Sequence, residues 1–120
     1  MFKSDDLKKL ILEILDDNKI VEIETFDLSR FSYIADTAII CTATSSRHAK
    51  SSAEHMMKTL KDHNIQPIGI EGGDVAEWML IDLGDIVIHI MLAETRIFYD
   101  LEGLYSIQNE EQTSQVVSEN

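Results

Sequence analysis

The stretch EWMLIDLGDIVIHI, residues 77–90, decides the fold of this chain. Two apolar segments flank the dipeptide Leu83-Gly84, a pattern that predicts two β-strands joined by a tight turn. Glycine takes at little cost the positive φ that such a turn requires at its second position. The sequence therefore predicts a β-hairpin whose turn is Leu83-Gly84.

The two faces of this hairpin differ in polarity, because successive side chains of a strand point to opposite sides. Counting outward from the turn predicts five cross-strand pairs: Asp82 with Asp85, Ile81 with Ile86, Leu80 with Val87, Met79 with Ile88, and Trp78 with His89. One face is wholly apolar and is expected to be buried; it carries Met79, Ile81, Ile86, Ile88 and Ile90. The other face is mixed; it carries Trp78, Leu80, Asp82, Asp85, Val87, His89 and Met91.

The polar residues of the mixed face allow more than one interpretation. Asp82 and Asp85 flank the turn, where Asp side chains accept hydrogen bonds from nearby amides. Two facing carboxylates also repel each other unless a metal ion, a basic partner or solvent neutralises them. His89 beside Trp78 is either half of a cross-strand stack or a functional group.

The remaining chain predicts elements that pack around the hairpin. Helices are expected at residues 4–18, 44–64 and 93–105, and further strands at residues 19–28, 37–43 and 66–73. The predicted buried stripes of the three helices are Leu7, Leu10, Ile11, Ile14 and Leu15; Ala49, Ala53, Met56, Met57 and Leu60; and Ile97, Phe98, Leu101 and Leu104. The last stripe leaves Arg96, Tyr99 and Glu102 pointing away from the core.

The order of elements predicts an α/β fold in a single domain. A strand–helix–strand unit around the second helix implies a parallel pair, and the hairpin implies an antiparallel pair, so the sheet is mixed, with about five strands and about three helices. The domain is expected to span residues 1–105. Residues 106–120 have little apolar content and no periodicity, which predicts a disordered acidic and polar tail.

The charge of the chain is concentrated in its second half. Residues 1–61 contribute −1 and residues 62–120 contribute −11 to the net charge of −12, with Arg96 as the single basic residue of the second half. An acidic surface repels phosphate backbones, so direct nucleic-acid recognition is disfavoured. The same surface attracts a basic protein and speeds the encounter. A solvated acidic surface without a partner is the alternative interpretation.

The sequence contains no complete set of residues for catalysis or metal binding. Its four histidines are scattered and form no HExxH pattern, so neither a metal nor a cofactor is predicted. Ser45 and Ser46 are more simply explained as a helix N-cap than as nucleophiles. Cys41 lies in the apolar run AIIC, where a lone cysteine serves as a small hydrophobic residue and is typical of a reducing compartment. No apolar run reaches the roughly 18 residues of a membrane span, and a cytoplasmic location is expected.

Four ordered motifs follow one another between residues 44 and 105. They read TSxRH, EG, WxLxDxGDxxxH and RxxYxLExLW, with an SxxxD segment before them. In this sequence they fall on Ser32 and Asp36; Thr44, Ser45, Arg47 and His48; Glu71 and Gly72; Trp78, Leu80, Asp82, Gly84, Asp85 and His89; and Arg96, Tyr99, Leu101, Glu102 and Leu104. The pattern resembles the ribosomal silencing factor family (RsfS, or Iojap). Ala43 replaces a usual Gly, and Tyr105 replaces a usual Trp.

The resemblance implies a nucleotidyltransferase-like mixed α/β fold that lacks the catalytic apparatus, and so a protein that is not an enzyme. Family members bind the large ribosomal subunit through its L-series protein fourteen, on the face that meets the small subunit. Subunit joining is thereby blocked, and translation falls in starvation or stationary phase. Organelle relatives act in ribosome assembly at the same site. A basic ribosomal protein would also suit the acidic half of this chain.

We expect residues 71–105 to present the partner-binding groups. Trp78 and Tyr99 would be buried anchors, while Asp82, Asp85 and Glu102 would face basic groups. The complete expected set is Trp78, Asp82, Asp85, His89, Arg96, Tyr99 and Glu102.

Two other functions compete with this expectation. One is a residual nucleotidyltransferase that uses Asp82 and Asp85 as metal ligands, although the Gly-Ser loop of such enzymes is missing. The other is a self-associating module, in which the mixed face of the hairpin pairs with a second copy and the free protein is a homodimer.

Overall fold

The computed structural model describes residues 4–29, 35–73 and 75–106. Within these ranges the elements in chain order are α1 (Ser4–Asp17), β1 (Val21–Asp27), β2 (Thr37–Ala43), α2 (Ser46–Asp62), β3 (Gly69–Glu71), β4 (Trp78–Asp82), β5 (Ile86–Leu92), α3 (Ala93–Tyr99) and a further helical segment, α4 (101–106). The predicted tail lies outside the described residues from position 107 onward, so its disorder stays a prediction.

The five strands form one mixed sheet, as predicted, and their order in it is β1-β2-β5-β4-β3. β2 and β5 are parallel, and every other neighbouring pair is antiparallel. The parallel partner of β2 differs from the expectation. β3, the next strand in the chain, lies at the far edge of the sheet, and the β3–β4–β5 meander brings β5 beside β2.

The hairpin of β4 and β5 is shifted by two residues from the predicted register. Asp82 pairs with Val87, Leu80 with His89 and Trp78 with Met91, so the predicted pairing of Asp82 with Asp85 is wrong. The turn is formed by Gly84 and Asp85 between Leu83 and Ile86, whose backbone N–H and C=O are 2.9 Å apart. Gly84 has a φ of 89°, which only glycine adopts easily. A shift of two residues preserves the faces, and the predicted core face is buried: Met79, Ile81, Ile86, Ile88 and Ile90.

One face of the sheet packs on α1 and α2 and forms the core. Ile11, Ile14 and Leu15 of α1 are buried, and Leu7 and Leu10 pack against them at half exposure, as their helical spacing predicted. In α2 the buried residues are Ala49, Ser52, Ala53, Met56 and Leu60, with Met57 half-buried.

A bulge interrupts β1. Two bridges bound the irregularity, Val21 with Thr42 and Glu24 with Ile40, so β1 has one residue more than β2 between them. Glu22, inside this interval, has a φ of 51°. Such a bulge bends an edge strand and re-aims its side chains and carbonyl groups.

The C-terminal helix departs most from the prediction. Asp100 adopts a left-handed conformation with a φ of 49° and ends α3, so residues 93–105 form two short helices in place of one. The predicted buried stripe is wrong, because Ile97 and Phe98 are each 79% exposed and Leu104 is 50% exposed. Arg96, expected to point away from the core, is only 7% exposed.

None of the helices in the described part of the chain combines the length and the apolar character needed to cross a membrane.

Candidate functional site

An aromatic cluster of Trp78, His89 and Tyr99 joins β4, β5 and α3. The Trp78 indole Nε1–H donates to His89 Nδ1 at 3.0 Å, and the two ring centroids are 5.7 Å apart. Trp78 and Tyr99 have centroids 4.9 Å apart. The predicted contact of Trp78 with His89 is therefore confirmed, although the two residues are diagonal neighbours and not directly opposite each other.

His89 is buried and uncharged in this cluster. It is 7% exposed, and burial lowers its pKa from 6.5 to about 4. Because Nδ1 accepts the indole hydrogen bond, the ring proton of neutral His89 is on Nε2. The geometry assigns His89 to holding Trp78 in place, since the imidazole is not open to a partner.

The outer side of α3 is an exposed apolar surface formed by Ile97, Phe98 and Tyr99, which we call the α3 surface. Tyr99 is 54% exposed and packs edge-on against the ring of Phe98, with centroids 5.0 Å apart. Exposed clusters of large apolar side chains are typical of protein interaction sites. The sequence predicted partner binding for Tyr99, which stays a prediction, and expected Ile97 and Phe98 to be buried.

Arg96 explains why α3 turns its apolar side outward. Its Nη1 donates to the carbonyl of Glu22 at 2.6 Å and to Thr42 Oγ1 at 2.9 Å, and its Nε donates to Glu102 Oε1 at 3.1 Å. Glu24 lies 3.7 Å from Nη2. One guanidinium thus ties α3 to β1, β2 and α4, and these contacts offset the cost of burying its charge.

An open cleft of about 440 Å³ lies beside Arg96 and reaches Ile97. Three carboxylates border it: Glu22, Glu24 and Glu102. They exceed the single positive charge of Arg96, so the edge of the α3 surface nearest β1 is acidic. A basic side chain next to an apolar one would complement this edge.

Asp82 and Asp85 lie at the turn end of the hairpin, away from the aromatic cluster. Asp82 Oδ1 accepts from the Gly84 N–H at 2.8 Å, which is the turn chemistry expected for an aspartate. Asp85 is exposed, and its carbonyl accepts from the N–H groups of Asp36 and Thr37 at 2.9 and 3.0 Å. Asp82 is four positions further along β4 than Trp78, a distance of roughly 13 Å. The expected site residues are therefore divided between two places.

The TSSRH segment has a structural role. Ser45 caps α2 by accepting from the His48 N–H at 3.0 Å. His48 Nδ1 accepts from the Thr44 N–H at 3.0 Å, and Nε2 lies 2.5 Å from the carbonyl of Asn18. The His48 imidazole thus links the start of α2 to the end of α1. Arg47 beside it is exposed.

The described residues offer no obvious reaction centre. They contain no group of three or more His, Cys, Asp or Glu side chains arranged to hold a metal ion. Cys41 is fully buried, and desolvation raises the pKa of its thiol to about 12, which keeps the thiol protonated and unreactive.

One feature of the sequence signals that Ile97 and Phe98 are exposed. Ile97 and Phe98 are adjacent, so a helix can bury both only along a wide apolar stripe. Asp100 and Gly103, which interrupt that stripe, favour a helix end, and Gly103 N–H donates to Asp100 Oδ1 at 3.1 Å. Two short helices can bury different faces, so the buried stripe expected for one long helix does not apply to them.

Fold and surface together define a small mixed α/β domain with an exposed apolar helix and no evident catalytic centre among its described residues. Comparison with known proteins agrees with this class. The family model described as "Ribosomal silencing factor during starvation" (RsfS) matches residues 2–120. A ribosomal silencing factor RsfS from Chromobacterium violaceum is 35% identical over 103 residues, covering 86% of this chain and 84% of the relative.

Two further similarities extend to an organelle protein and to a solved structure. The Mus musculus protein named mitochondrial assembly of ribosomal large subunit protein 1 is 35% identical over 88 residues, covering 70% of this chain and 39% of that protein. A crystal structure of a Chromobacterium violaceum protein superimposes with a TM-score of 0.84 at 33% identity and covers 88% of each chain. The chain belongs to the ribosomal silencing factor family.

Proposed function

We propose that this protein represses translation by binding the large ribosomal subunit and sterically preventing the small subunit from joining. The binding partner is the subunit's L-series protein fourteen, and the protein acts in the cytoplasm, in starvation or stationary phase, without catalysis. Family membership supports the general role. The exposed apolar α3 surface is the observation that suggests which residues of this protein contact the partner.

The α3 surface suits a protein partner because it combines apolar anchors with an acidic border. Ile97 and Phe98 are solvent-exposed large side chains whose burial by a partner removes apolar area from water. Tyr99 adds an aromatic anchor, and Trp78 supports it from below at 4.9 Å. Ribosomal proteins are generally basic, so the acidic border favours the encounter and fixes its orientation.

The expected partner-binding residues take different parts in this proposal. Trp78 and Tyr99 contact the partner, and Glu102 contributes to the acidic border. His89 and Arg96 act from beneath the surface, because both are only 7% exposed. Asp82 and Asp85 lie at the other end of the hairpin and form a separate part of the contact.

The experiment is co-sedimentation of purified protein with separated ribosomal subunits, comparing Ile97→Glu with Val75→Glu. Both residues are 79% exposed, and both changes add one negative charge, so the variants differ in position and not in exposure or charge. Val75→Glu is expected to migrate with large subunits and to reduce the fraction of joined ribosomes. Ile97→Glu is expected to bind at least about tenfold more weakly, which is about 1.4 kcal/mol.

Two results would contradict the proposal. Equal binding by both variants would remove the α3 surface from the contact. Failure of the unchanged protein to migrate with either subunit, at low and at moderate salt, would show that ribosome binding itself is absent. A pull-down with isolated protein fourteen then tests the named partner separately from the subunit.

Assembly of the large subunit at the same site is the second candidate function. It is favoured by the similarity to the mouse protein, whose name describes ribosomal large-subunit assembly. The two functions differ in what accumulates when the protein is removed from cells. Loss of a silencing factor leaves mature subunits and raises translation in starved cells, whereas loss of an assembly factor leaves incomplete large subunits in growing cells.

A further inference from the structure

The outer edge of β3 is a strand edge that remains open for pairing. β3 is hydrogen-bonded to β4 on one side and to no other strand of the described residues. The opposite edge of the sheet, β1, is interrupted by its bulge, a feature that discourages pairing with another chain. β3 has no such bulge, and backbone groups at an open edge can accept an additional strand.

The two sides of this edge differ sharply in chemistry. Ile70 pairs with buried Ile81 and so faces the side of the sheet covered by α1 and α2, yet it is 42% exposed. Ile68, which is 73% exposed, extends the apolar side towards the hairpin turn. Its side chain lies close beside Gly84, since a Cβ added to that glycine would be 3.1 Å from Ile68 Cδ1. Side chains alternate, so Glu71 points to the other side of the sheet.

The acidic side of the edge has room for a long side chain. Gly69 lies directly opposite Asp82, two residues before Glu71, so both carboxylates are on the same side of the sheet. A Cβ added to Gly69 would meet nothing within 4 Å. The aliphatic part of a lysine or arginine can therefore lie over Gly69 with its charged end between the two acids.

Charge selects the kind of segment that can occupy this edge. Residues 62–95 contain seven acidic residues and no lysine or arginine. A second copy of the chain would bring an identical acidic edge against this one, and like charges placed opposite each other in a sheet are destabilising. A basic segment instead places positive charges beside these carboxylates, and each pair of opposite charges attracts.

We propose that the outer edge of β3 binds an extended basic segment of another protein by β-strand addition. The segment alternates apolar residues, which lie against Ile68 and Ile70, with basic residues, which lie over Gly69 between Asp82 and Glu71. β3 and the β1 side of the sheet, where Arg96 anchors α3, are at opposite edges, so this is a second contact surface. Binding at the β3 edge does not require the α3 surface to bind the ribosome.

The experiment titrates the full-length, ¹⁵N-labelled protein with a ten-residue peptide of alternating lysine and valine. A lysine–glycine peptide of equal charge is the control for electrostatic attraction alone. Amide shift changes are expected at residues 68–71 and 80–85, with the valine peptide binding at least tenfold more tightly. Ile70→Lys is expected to weaken binding at least tenfold. Val21→Lys, an equal charge change at a similarly exposed position on the opposite edge, is expected to leave it unchanged.

Three outcomes would overturn the inference. Equal affinity for the two peptides would reduce the effect to general attraction between opposite charges. Shift changes spread over the acidic surface, or centred on α3, would place the binding elsewhere. A dimer in light scattering that Ile70→Lys abolishes would identify a second copy as the occupant. The amide spectra of both variants show directly whether each remains folded.

Discussion

Trp78 is a proposed binding anchor whose position is fixed by packing. Its indole donates to His89 and its ring lies against Tyr99, so it is fixed from two sides while remaining half-exposed. A side chain held in this way loses little conformational entropy on binding, which is one reason tryptophan is frequent among residues that dominate interface energies.

Truncation of this side chain is the first prediction. Trp78→Ala is expected to weaken binding to the large subunit by about 2 kcal/mol or more, because it removes an anchor and the support of Tyr99. Trp78→Phe keeps an aromatic ring against Tyr99 and loses only the donor to His89, so it is expected to retain most of the affinity. Equilibrium binding of fluorescently labelled variants to purified subunits measures both. Unchanged affinity of a folded Trp78→Ala protein would remove Trp78 from the contact.

The buried imidazole of His89 predicts a dependence of stability on pH. Its pKa is lowered from 6.5 to about 4 by burial, so between these values the unfolded chain binds a proton that the folded chain does not. The free energy of unfolding is therefore expected to fall as the pH is lowered from 6.5 towards 4, by up to about 3 kcal/mol. Urea unfolding followed by the fluorescence of Trp78, at a series of pH values, measures this decrease.

Substitution identifies the group responsible for that decrease. His89→Gln keeps an acceptor for the indole and cannot titrate, so its unfolding free energy should lose this part of the pH dependence. His63→Gln, which changes an exposed imidazole at the end of α2, should retain it. The assignment to His89 fails if both variants follow the unchanged protein.

The orientation of α3 is decided at the scale of elements. Its apolar residues match a buried stripe by spacing, but the helix seats its one buried polar residue, Arg96, against β1 and β2. The bulge in β1 supplies the carbonyl of Glu22, and α4 supplies Glu102. Tyr105 secures α4 by packing on Phe26 at 5.3 Å, and burial raises the pKa of its phenol.

Loss of this anchor is expected to affect several elements at once. Arg96→Met removes the donors to Glu22 and Thr42 and leaves Glu102 without its partner, which should lower the free energy of unfolding by about 2–4 kcal/mol. Glu102→Gln keeps a hydrogen-bond acceptor at a partly exposed position and should cost less than about 1 kcal/mol. Chemical denaturation of the two variants compares these values. Equal, small losses would mean that Arg96 does not hold the C-terminal helices in place.

At the scale of the whole molecule, charge is the dominant property. The net charge of −12 is nearly all in residues 62–120, the half that contains the α3 surface and the β3 edge. A net charge of this size attracts a basic partner over distances up to about the Debye length, roughly 10 Å at 0.1 M salt.

Salt is therefore expected to act mainly on association. Raising the salt concentration screens long-range attraction, so the association rate constant with large subunits should fall by more than the dissociation rate constant rises. Stopped-flow mixing at several salt concentrations separates the two constants. Association that is independent of salt would show that the acidic half has no part in the encounter.

The sequence by itself determined the elements that local pattern controls. The alternation of residues 79–90 predicted the buried face of the hairpin, because a register shift of two leaves side chains on the same face. The helical spacing in α1 and α2 likewise predicted which apolar residues would pack in the core. The ordered motifs identified the family.

Only the tertiary structure decided the pairings and orientations that depend on distant parts of the chain. The register of the hairpin depends on which residues form the turn. Gly84 can be the second residue of a Leu83-Gly84 turn or the first residue of a Gly84-Asp85 turn. The outward side of α3 depends on Arg96 finding acceptors 54 and 74 residues earlier in the chain, on β2 and β1. Local spacing carries no information about such partners. The apolar side of α3, which spacing predicted to be buried, is therefore exposed to solvent.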